Sequence, residues 1–439
     1  MFNLPKYGSG LCLARLTALL DALAVDRARL QRHSVVVTGS NGKGSTAAFL
    51  ASIGQARGLR TGLFTSPHLY RFHERFRIDG VEIGDDALTD LVLRVATAIA
   101  DLTRHGVHGT FGAFEAQFAL ACLYFQEAEC EFAVFEAGIG GRYDPVRLVG
   151  ASIICVSSVD YEHVDLLGGS LELIASDKSD ACAAGGTIIY GENCRPLRQH
   201  LAAYNRSRNV TGLFVRSEIG IGNEAMSATG QQFDLSFGDS RIDALEMRLL
   251  GDFQFNNAAI AAVLFMLWSG GTHPRQNPAT VDAAIRRGLR QTRWPGRLEI
   301  VQETPLTIID VGHTPDGVQQ ALASLRAIHG VDDWVLVLGV SGDKNVNDIA
   351  GHLAPSFHNV ICTSAYHKGA DARVVGAAAR KANAGAKIHV ANTIEAAVRI
   401  SQQLARTSGQ KIYVAGGLFV AIEYATVLRG GRAQELRFF

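Results

Sequence analysis

The stretch "SVVVTGSNGKGSTAAFLAS", residues Ser34–Ser52, decides the fold class. Val35–Val37 are β-branched, as in a buried parallel strand, and the Ala- and Leu-rich run at the end favours a helix. A glycine-rich turn between a strand and a helix directs backbone N–H groups and a helix N-terminus at an anion. The standard pattern G-x-x-x-x-G-K-[ST] is not met, however, because Val37 replaces its first glycine and Gly44 follows Lys43.

Two interpretations of this turn are open. It is either a phosphate-binding loop or a tight strand-to-helix turn without a ligand. Three glycines, a lysine and two hydroxyl side chains lie between the strand and the helix, which favours a phosphate site. Lys43 would supply a mobile cation, and Ser45 or Thr46 would supply a hydroxyl for a phosphate or a metal ion.

Composition limits the possible functions. A length of 439 residues predicts two or three domains, and a hydrophobic content of 47% suffices for complete cores. The net charge of zero argues against a broad nucleic-acid surface. The sequence contains no uncharged apolar run of about 18 residues, so no membrane span is predicted. Seven cysteines without metal-binding spacing, and no signal pattern at the start, indicate reduced thiols. We therefore expect a cytoplasmic protein that binds neither nucleic acid nor membranes.

Strand-like apolar runs alternate with helical patterns along most of the chain, which predicts a largely parallel α/β fold. The predicted strands of the first series are Val35–Thr38, Thr61–Phe64, Phe132–Glu136, Ile153–Ser157 and Thr187–Tyr190. Residues 206–247 are short and alternating, and they predict an antiparallel β segment. The predicted strands of a second series are Leu306–Ile309, Trp334–Leu338, Val360–Cys362 and Ile412–Ala415. The motif "RWPGR" separates the two series, so the predicted domains are 1–295 and 296–439.

Several chemically capable side chains follow the predicted strands, where ligands of open α/β sheets bind. Ser66 follows the second strand, and Glu136 ends the third, where a carboxylate suits a magnesium ion held by nucleotide phosphates. His163 lies just past the fourth strand, and Lys178 lies in a helical pattern that begins near Ser170. Each of these residues also has an ordinary structural interpretation: a turn hydroxyl, a capping carboxylate, a structural histidine or a surface lysine.

The second series repeats this arrangement. Its first strand ends at Asp310 and is followed by His313, and later strand ends lead to Lys344 and His367. Two α/β domains would thus present acidic, histidine and lysine side chains to one cleft, which suits closure over a nucleotide and a second substrate.

Taken together, the motifs resemble those of folylpolyglutamate synthase and dihydrofolate synthase, which belong to the Mur ligase superfamily. The matching segments occur in the family's order: "TGSNGKGST", "TSPHLYRFHERFRIDG", "EAGIGGRYD", "HVDLLGGSLELIASDK", "TRWPGRLE" and "DVGHTP". The family's loop is G-T-N-G-K-G-S-T, which Gly39–Thr46 matches except for Ser40. The resemblance favours the phosphate-loop interpretation, with the hydroxyl after the lysine displaced to Ser45.

The resemblance implies a P-loop-type ATPase domain with a mostly parallel sheet, followed by a smaller Rossmann-like α/β domain. It implies that ATP phosphorylates a substrate carboxylate and that the amine of L-glutamate then attacks the acyl phosphate. The implied partners are a pterin or folate carboxylate and L-glutamate, with ATP and two Mg²⁺ ions. We expect the protein to be a monomer.

The resemblance also assigns residues. The implied ATP-binding residues are Gly39, Ser40, Asn41, Gly42, Lys43, Gly44, Ser45, Thr46, Asn257, Arg297, Asp310 and His313. Of these, Arg297, Asp310 and His313 match residues that contact either ATP or the incoming amino acid. The implied metal ligands are Ser66, Glu136, His163 and, if carbamylated, Lys178. The predicted catalytic residues are Lys43, Lys178 and His163.

Some positions depart from the family pattern. Pro145, Val146 and Arg147 replace Ala-Thr-Asn, Phe253 replaces a histidine, Thr314 an asparagine, Gly417 a serine and Phe118 a threonine. These changes leave two ligase interpretations: a folate enzyme, and a paralogue that joins an amino acid to a different carboxylate. A third possibility is a nucleotide-binding scaffold without ligase chemistry, but the retention of Lys178 argues against it.

Overall fold

The structure is a computed structural model that describes residues 4–5, 8–10, 12–107, 109–272 and 278–438. The strands are β1 (Ser34–Thr38), β2 (Thr61–Phe64), β3 (Phe76–Ile78), β4 (Val81–Glu82), β5 (Phe132–Glu136), β6 (Ile153–Val156), β7 (Thr187–Tyr190), β8 (Thr211–Phe214), β9 (Ile219–Ser227), β10 (Gly230–Phe237), β11 (Ser240–Met247), β12 (Glu299–Glu303), β13 (Leu306–Ile309), β14 (Trp334–Leu338), β15 (Asn359–Thr363), β16 (Lys387–Ala391) and β17 (Lys411–Ala415).

The helices follow the same chain order. They are α1 (Leu13–Ala22), α2 (Arg27–His33), α3 (Lys43–Ala56), α4 (Asp85–Arg104), α5 (Ala113–Glu127), α6 (Val164–Leu167), α7 (Leu171–Ser179), α8 (Arg198–Arg206), α9 (Phe253–Thr272), α10 (Pro278–Gln291), α11 (Pro315–His329), α12 (Val346–Leu353), α13 (Ala372–Ala382), α14 (Ile394–Ser408) and α15 (Leu418–Leu428). Short 3-10 helices span Phe72–Arg75, Pro145–Val149, Glu192–Leu197, Ala354–Ser356 and Ala433–Glu435. In the described part of the chain, no helix is both long and apolar enough to cross a membrane.

The first sheet has the strand order β4-β3-β2-β5-β1-β6-β7-β8 and is parallel from β2 to β8. β1 lies inside this sheet, and both of its faces are covered. Val35 and Val37 pack in one core cluster with side chains of α3, α9 and α10, whereas Val36 packs in the cluster on the opposite face. A fully buried β-branched strand is the expected centre of a parallel sheet.

All the predicted strands are confirmed to within one residue at each end. The prediction for residues 206–247 is correct for β9, β10 and β11, which form a three-stranded antiparallel sheet. It is wrong for Thr211–Phe214, which instead pairs in parallel with β7 and extends the large sheet. Phe214 is buried there against Tyr190, with ring centroids 4.8 Å apart. Tertiary packing thus decides the partner of a strand too short to carry a clear alternation.

The second sheet has the order β12-β13-β17-β14-β15-β16 and is parallel except for β12. It begins just after the predicted boundary at 295/296. Strands β12 and β16 are absent from the predicted set. Both strands lie at sheet edges and are partly exposed, with charged residues in place of a continuous apolar run. Edge strands carry a weaker hydrophobic signal than central strands.

Helices α3 and α10 approach each other closely at Gly288. The Ser52 hydroxyl donates to the Gly288 carbonyl oxygen over 2.8 Å. A Cβ at Gly288 would lie 2.5 Å from the Cα of Ile53, which is shorter than atomic contact allows. The two helices, which cover the face of the sheet beneath the glycine-rich turn, can therefore pack this closely only with glycine at position 288.

We expect Gly288→Ala to lower the free energy of unfolding by about 1–3 kcal/mol, because the added methyl group must push α10 away from the backbone of α3 at Ile53. Thermal unfolding followed by circular dichroism measures the effect. Gly351→Ala is the matched control, since a Cβ at this exposed site in α12 meets nothing within 4 Å. An equal loss of thermal stability in both variants would contradict the packing argument.

Candidate active site

The turn between β1 and α3 has a backbone that depends on glycine. Gly39 and Gly42 have φ angles of +138° and +83°, and α3 begins directly afterwards at Lys43. The Lys43 ammonium bends back over the turn and donates to the carbonyl oxygens of Gly39 and Ser40, over 2.7 and 3.1 Å. This gives a helix N-terminus with a cation positioned above it, as an anion site requires.

Residues after β6 brace the turn. The Asn41 N–H donates to the Ser158 hydroxyl over 2.7 Å, and the Ser157 hydroxyl donates to the Asn41 carbonyl over 2.6 Å. Within the described residues, the Asn41 side-chain N–H₂ and the Thr46 hydroxyl are buried without hydrogen-bond partners. Buried unpaired donors are costly. These donors, the helix N-terminus and Lys43 therefore fit a polyphosphate.

The start of α9 supports the same turn. A Cβ at Gly42 would lie 2.5 Å from the side-chain oxygen of Asn257, so this asparagine packs directly against the glycine. Asn257 donates to the Gln254 side-chain oxygen over 3.0 Å, and Gln254 in turn donates to the Ser45 hydroxyl over 3.4 Å. The structure thus brings Asn257 to the predicted loop, and it adds Gln254, which the sequence analysis did not assign to the site.

Glu136 ends β5 next to the turn and is almost fully buried. One of its carboxylate oxygens accepts a hydrogen bond from the Ser66 N–H over 3.0 Å. Burial raises the pKa of Glu136 to about 7, although the charges of Lys43, Arg297 and Arg75 act in the opposite direction. A buried carboxylate supplies the kind of oxygen ligand that a magnesium ion takes in proteins.

Lys178 lies inside α7 with 1% of its surface exposed, so its interpretation as a surface lysine is wrong. Its ammonium contacts the Glu162 carboxylate at 2.5 Å. Burial lowers the pKa of Lys178; the Glu162 carboxylate acts to raise it, and the charge of Lys43 acts to lower it further. Burial alone would raise the pKa of Glu162, but Lys43 and Lys178 lower it to about 2. The two lysines therefore flank one ionised carboxylate.

His163 lies in the loop between β6 and α7, as predicted. Its backbone is left-handed, with φ of +45°, and it caps the short helix α6. Its side chain is exposed to solvent. In the part of the chain that the structure describes, no three His, Cys, Asp or Glu side chains cluster as a preformed metal centre. The assignment of Ser66, Glu136, His163 and Lys178 as metal ligands stays a prediction.

The second domain completes the site. A cavity of about 70 Å³ is lined by Ser66 and Glu136 from the first domain and by Arg297 and His313 from the second. Part of the His313 side chain is exposed, but the residues around it in the cleft remove much of its solvent, and this desolvation lowers its pKa to about 4. Lys344 and Arg297 repel a proton there as well. His313 is therefore a neutral ring at pH 7, able to accept a hydrogen bond.

Asp310 has a clear structural role. Its carboxylate accepts the N–H groups of Gly312, over 2.7 Å, and Leu298, over 3.1 Å. Burial raises the pKa of Asp310, while Arg297 acts to lower it. Asp310 thus fixes the two loops that carry His313 and Arg297 into the cleft, and a direct contact with ATP stays a prediction.

Trp294 is a site residue that sequence reasoning missed. Its indole nitrogen would lie 3.0 Å from a Cβ at Gly44, so the ring covers the start of α3. The Arg77 guanidinium lies 5.6 Å from the centre of the same ring. Trp294 lies in "RWPGR", which marks the predicted domain boundary and belongs to a matching family segment, but only Arg297 of this motif was assigned to the site. An aromatic residue in a linker between two ligand-binding domains was the available signal.

Comparison with known proteins agrees with this architecture. Residues 296–418 match the family model described as Mur ligase, glutamate ligase domain. Folylpolyglutamate synthase of Lacticaseibacillus casei is 32% identical over 79% of this chain and 79% of its own length. A probable bifunctional folylpolyglutamate synthase/dihydropteroate synthase of Halobacterium salinarum is 34% identical over 89% of this chain, which spans only 46% of that relative.

A solved structure gives the same result. Mycobacterium tuberculosis folylpolyglutamate synthase complexed with ADP and AMPPCP aligns with a TM-score of 0.85 and 25% identity over 96% of both chains. The predicted fold, a P-loop-type ATPase domain followed by a Rossmann-like domain, is confirmed.

The fold and the site define a Mur-type, ATP-dependent acid–amino-acid ligase. Within that class, the chain belongs to the folylpolyglutamate synthase and dihydrofolate synthase family.

The raised pKa of Glu136 predicts a pH-dependent stability. Because the folded-state pKa is about 7 against 4.5 for the free group, ionisation destabilises the fold progressively from about pH 4.5 to 7 and fully above pH 7. Without nucleotide or metal, we expect Glu136→Gln to be more stable than the wild type at pH 8, by about 1–3 kcal/mol, and close to it at pH 5. Thermal melts at the two pH values test this expectation.

Glu303→Gln, at an exposed position at the end of β12, is the control for loss of one carboxylate. It should change the melting temperature little at either pH. A Glu136→Gln variant that gains no stability between pH 5 and pH 8 relative to the wild type would contradict the burial that raises the pKa of Glu136.

Proposed function

We propose that the protein joins the amine of L-glutamate to a carboxylate of a pterin or folate substrate, in a reaction driven by ATP. One observation carries the proposal. The phosphate loop with Lys43, the buried Glu136 and the second-domain residues Arg297 and His313 meet at one cleft between two α/β domains. Relatives named folylpolyglutamate synthase and dihydrofolate synthase support the choice of glutamate and folate.

The reaction requires two anions, the acceptor carboxylate and the triphosphate, to come into contact. A carboxylate oxygen would attack the γ-phosphorus and release ADP, and the glutamate amine would then displace phosphate from the acyl carbon. Lys43 and the amides of Gly39–Thr46 would hold the phosphates and offset the charge that develops on them. Arg297 and the neutral His313 would receive the anionic and amine groups that enter from the second domain.

The proposed magnesium site uses residues of the first domain. Ser66, Glu136 and His163 would hold one ion, which would offset the repulsion between the two substrates. Lys178 has the lowered pKa that carbamylation requires, because the neutral amine is the form that reacts with CO₂. A carbamate at Lys178 would lose the attraction of Glu162, so a second Mg²⁺ or a rearranged Glu162 would have to stabilise it.

Three further expectations belong to the same proposal. The protein would act in the cytoplasm as a monomer. It would use small-molecule partners only, without nucleic acid or membrane. The domains would divide at 295/296, between α10 and β12.

The departures from the family pattern leave a second ligase function as an alternative. Pro145–Val149 forms a 3-10 helix whose preceding residue, Asp144, accepts the N–H groups of Gly138, Ile139 and Val146. Pro145 and Val146 are buried, so the altered residues act on the packing that positions the loop after Glu136. A paralogue that joins an amino acid to a non-folate carboxylate is therefore the alternative. A scaffold without catalysis would not require the buried Lys178.

The decisive assay is phosphate release from ATP and Mg²⁺, with L-glutamate and either dihydropteroate or tetrahydrofolate, followed by mass spectrometry of the products. We expect a glutamyl adduct of at least one pterin. Lys43→Ala should abolish release, since the loop loses its cation, whereas Lys381→Ala, at an exposed position on α13, should retain it. Normal turnover in Lys43→Ala would reject the phosphate-loop assignment. Folded wild-type protein that binds ATP but yields no pterin adduct would favour the alternative acceptor.

Carbamylation of Lys178 can be observed directly. We expect protein equilibrated with ¹³C-bicarbonate to show a carbamate ¹³C resonance that disappears in Lys178→Arg. Lys178→Ala should lose at least about 100-fold in turnover, and short carboxylic acids should partly restore it, because they replace the missing carboxylate. Full activity of Lys178→Ala without added acid would exclude the carbamate. Lys381→Ala again controls for the loss of a lysine.

A further inference from the structure

Residues 433–438, called here the strap, run from the end of the second domain back to the first. The carbonyl oxygen of Arg437 accepts a hydrogen bond from the Nε2 atom of His68, over 2.5 Å. The Phe438 ring stacks on the His68 ring, with a centroid distance of 6.5 Å and an interplanar angle of 12°. His68 lies in the loop after β2, two residues beyond Ser66, so the strap contacts the loop that forms one wall of the cleft.

The strap is firmly anchored in the second domain. Leu436 and Phe438 are buried in a core cluster with residues of β13, β14, β17 and α15. The Phe438 ring meets the rings of His367 and Phe419 edge-on, each at 4.9 Å. The His367 ring is itself fixed by the fully buried carboxylate of Glu423, at 2.9 Å. The strap therefore moves with the second domain.

His68 is held in one orientation and one tautomer. The Arg75 Nε–H donates to the Nδ1 atom of His68 over 2.8 Å, so Nδ1 is the acceptor. The proton therefore lies on Nε2, which donates to the Arg437 carbonyl oxygen. Arg75 is fixed in turn by the side-chain oxygen of Gln117 on α5, also at 2.8 Å. With 2% of its surface exposed, His68 is a buried connection between the two domains.

The loop that carries His68 is stiff and leads to the reaction site. Glu74 accepts the backbone N–H groups of Leu69, Tyr70 and Arg71, each over 2.8 Å. The Thr65 N–H donates to the Arg75 carbonyl over 3.1 Å, which closes the loop at its base. The next residue, Ser66, donates its N–H to Glu136. A displacement of His68 would therefore be passed to Ser66.

We propose that His68 is a positioning residue that couples the strap to the Ser66 loop and so sets the closure of the two domains over the cleft. The contact is defined by the structure alone. Its consequence for catalysis rests on the proposed function, in which the first domain binds ATP and the second receives the amino acid. The proposal adds a role for His68, Arg75 and Phe438, which make none of the predicted ligand contacts.

The test compares three variants with a control. His68→Phe keeps the ring and removes both hydrogen bonds. His68→Gln retains one acceptor for Arg75 and one donor for Arg437. Phe438→Ala removes the stacking ring from the strap. Phe357→Ala is the control, because Phe357 is a buried ring of the same domain that packs on Tyr413, at 6.2 Å, away from the cleft.

Amide hydrogen exchange of residues 65–75 is the primary readout, since it needs no turnover. We expect His68→Phe and Phe438→Ala to exchange about tenfold faster there than the wild type, and His68→Gln to stay within about threefold. Phe357→Ala should lower the melting temperature but leave exchange in this loop unchanged. In the ligase assay, His68→Phe and Phe438→Ala should raise the KM for the amino acid more than they lower kcat, because an open cleft weakens binding of a substrate that contacts both domains.

Each outcome bears on a different part of the proposal. Unchanged exchange at 65–75 in Phe438→Ala, or an equal change in Phe357→Ala, would overturn the coupling. If His68→Phe does not fold, His68→Gln and Phe438→Ala still decide the matter, because a structural role alone predicts no loop-specific change. The expected exchange pattern in a protein without ligase activity would reject the proposed function and leave the coupling intact.

Discussion

The parallel register of β1 with β5 and β6 is the constraint on which the site depends. Val37 lies opposite Glu136 in β5, and Thr38 lies opposite Val156 in β6. Because the carboxyl ends of these strands meet at one edge, the turn at Gly39, the carboxylate of Glu136 and the serines after β6 must lie together. The valines of β1 are buried on both faces, so this register is fixed by the core rather than by the polar residues that use it.

The site lowers the stability of the fold, because it places a few charged side chains where they are buried. Glu136 is held where burial raises its pKa to about 7, and Lys178 is held where burial lowers its pKa. Lys43 acts on both Glu136 and Glu162, so one flexible ammonium partly compensates two carboxylates. Incompletely compensated charges of this kind are typical of catalytic sites, which bind ions and charged substrates in place of internal partners.

The sequence predicted the fold well where local signals agree with tertiary structure. Central strands such as Phe132–Glu136 are continuous apolar runs, and their ends could be placed closely. Residues Thr211–Phe214 could not be assigned correctly, because their partner, β7, is chosen by packing across the sheet. Strand ends and the family resemblance supplied the predicted site residues, but neither predicted the Lys178–Glu162 pair or the cover formed by Trp294 over Gly44. Those contacts join segments that are distant or irregularly spaced in the sequence, and a hydrophobic period reports only on neighbours within one helix or strand.

The departures from the family pattern differ in what they affect. Thr314 caps α11 by accepting the Gly317 N–H, and its hydroxyl donates to the Asn41 side chain over 3.3 Å, so it joins the second domain to the phosphate loop. Phe253 packs with the core cluster of the second domain, although it begins a helix of the first. Both replacements therefore serve the contact between domains, as the strap does. By contrast, Pro145 and Val146 are buried within the first domain, where Val146 packs in the core cluster on one face of the sheet. These replacements therefore act on the packing of the first domain, whereas Thr314 and Phe253 act on the contact between the domains.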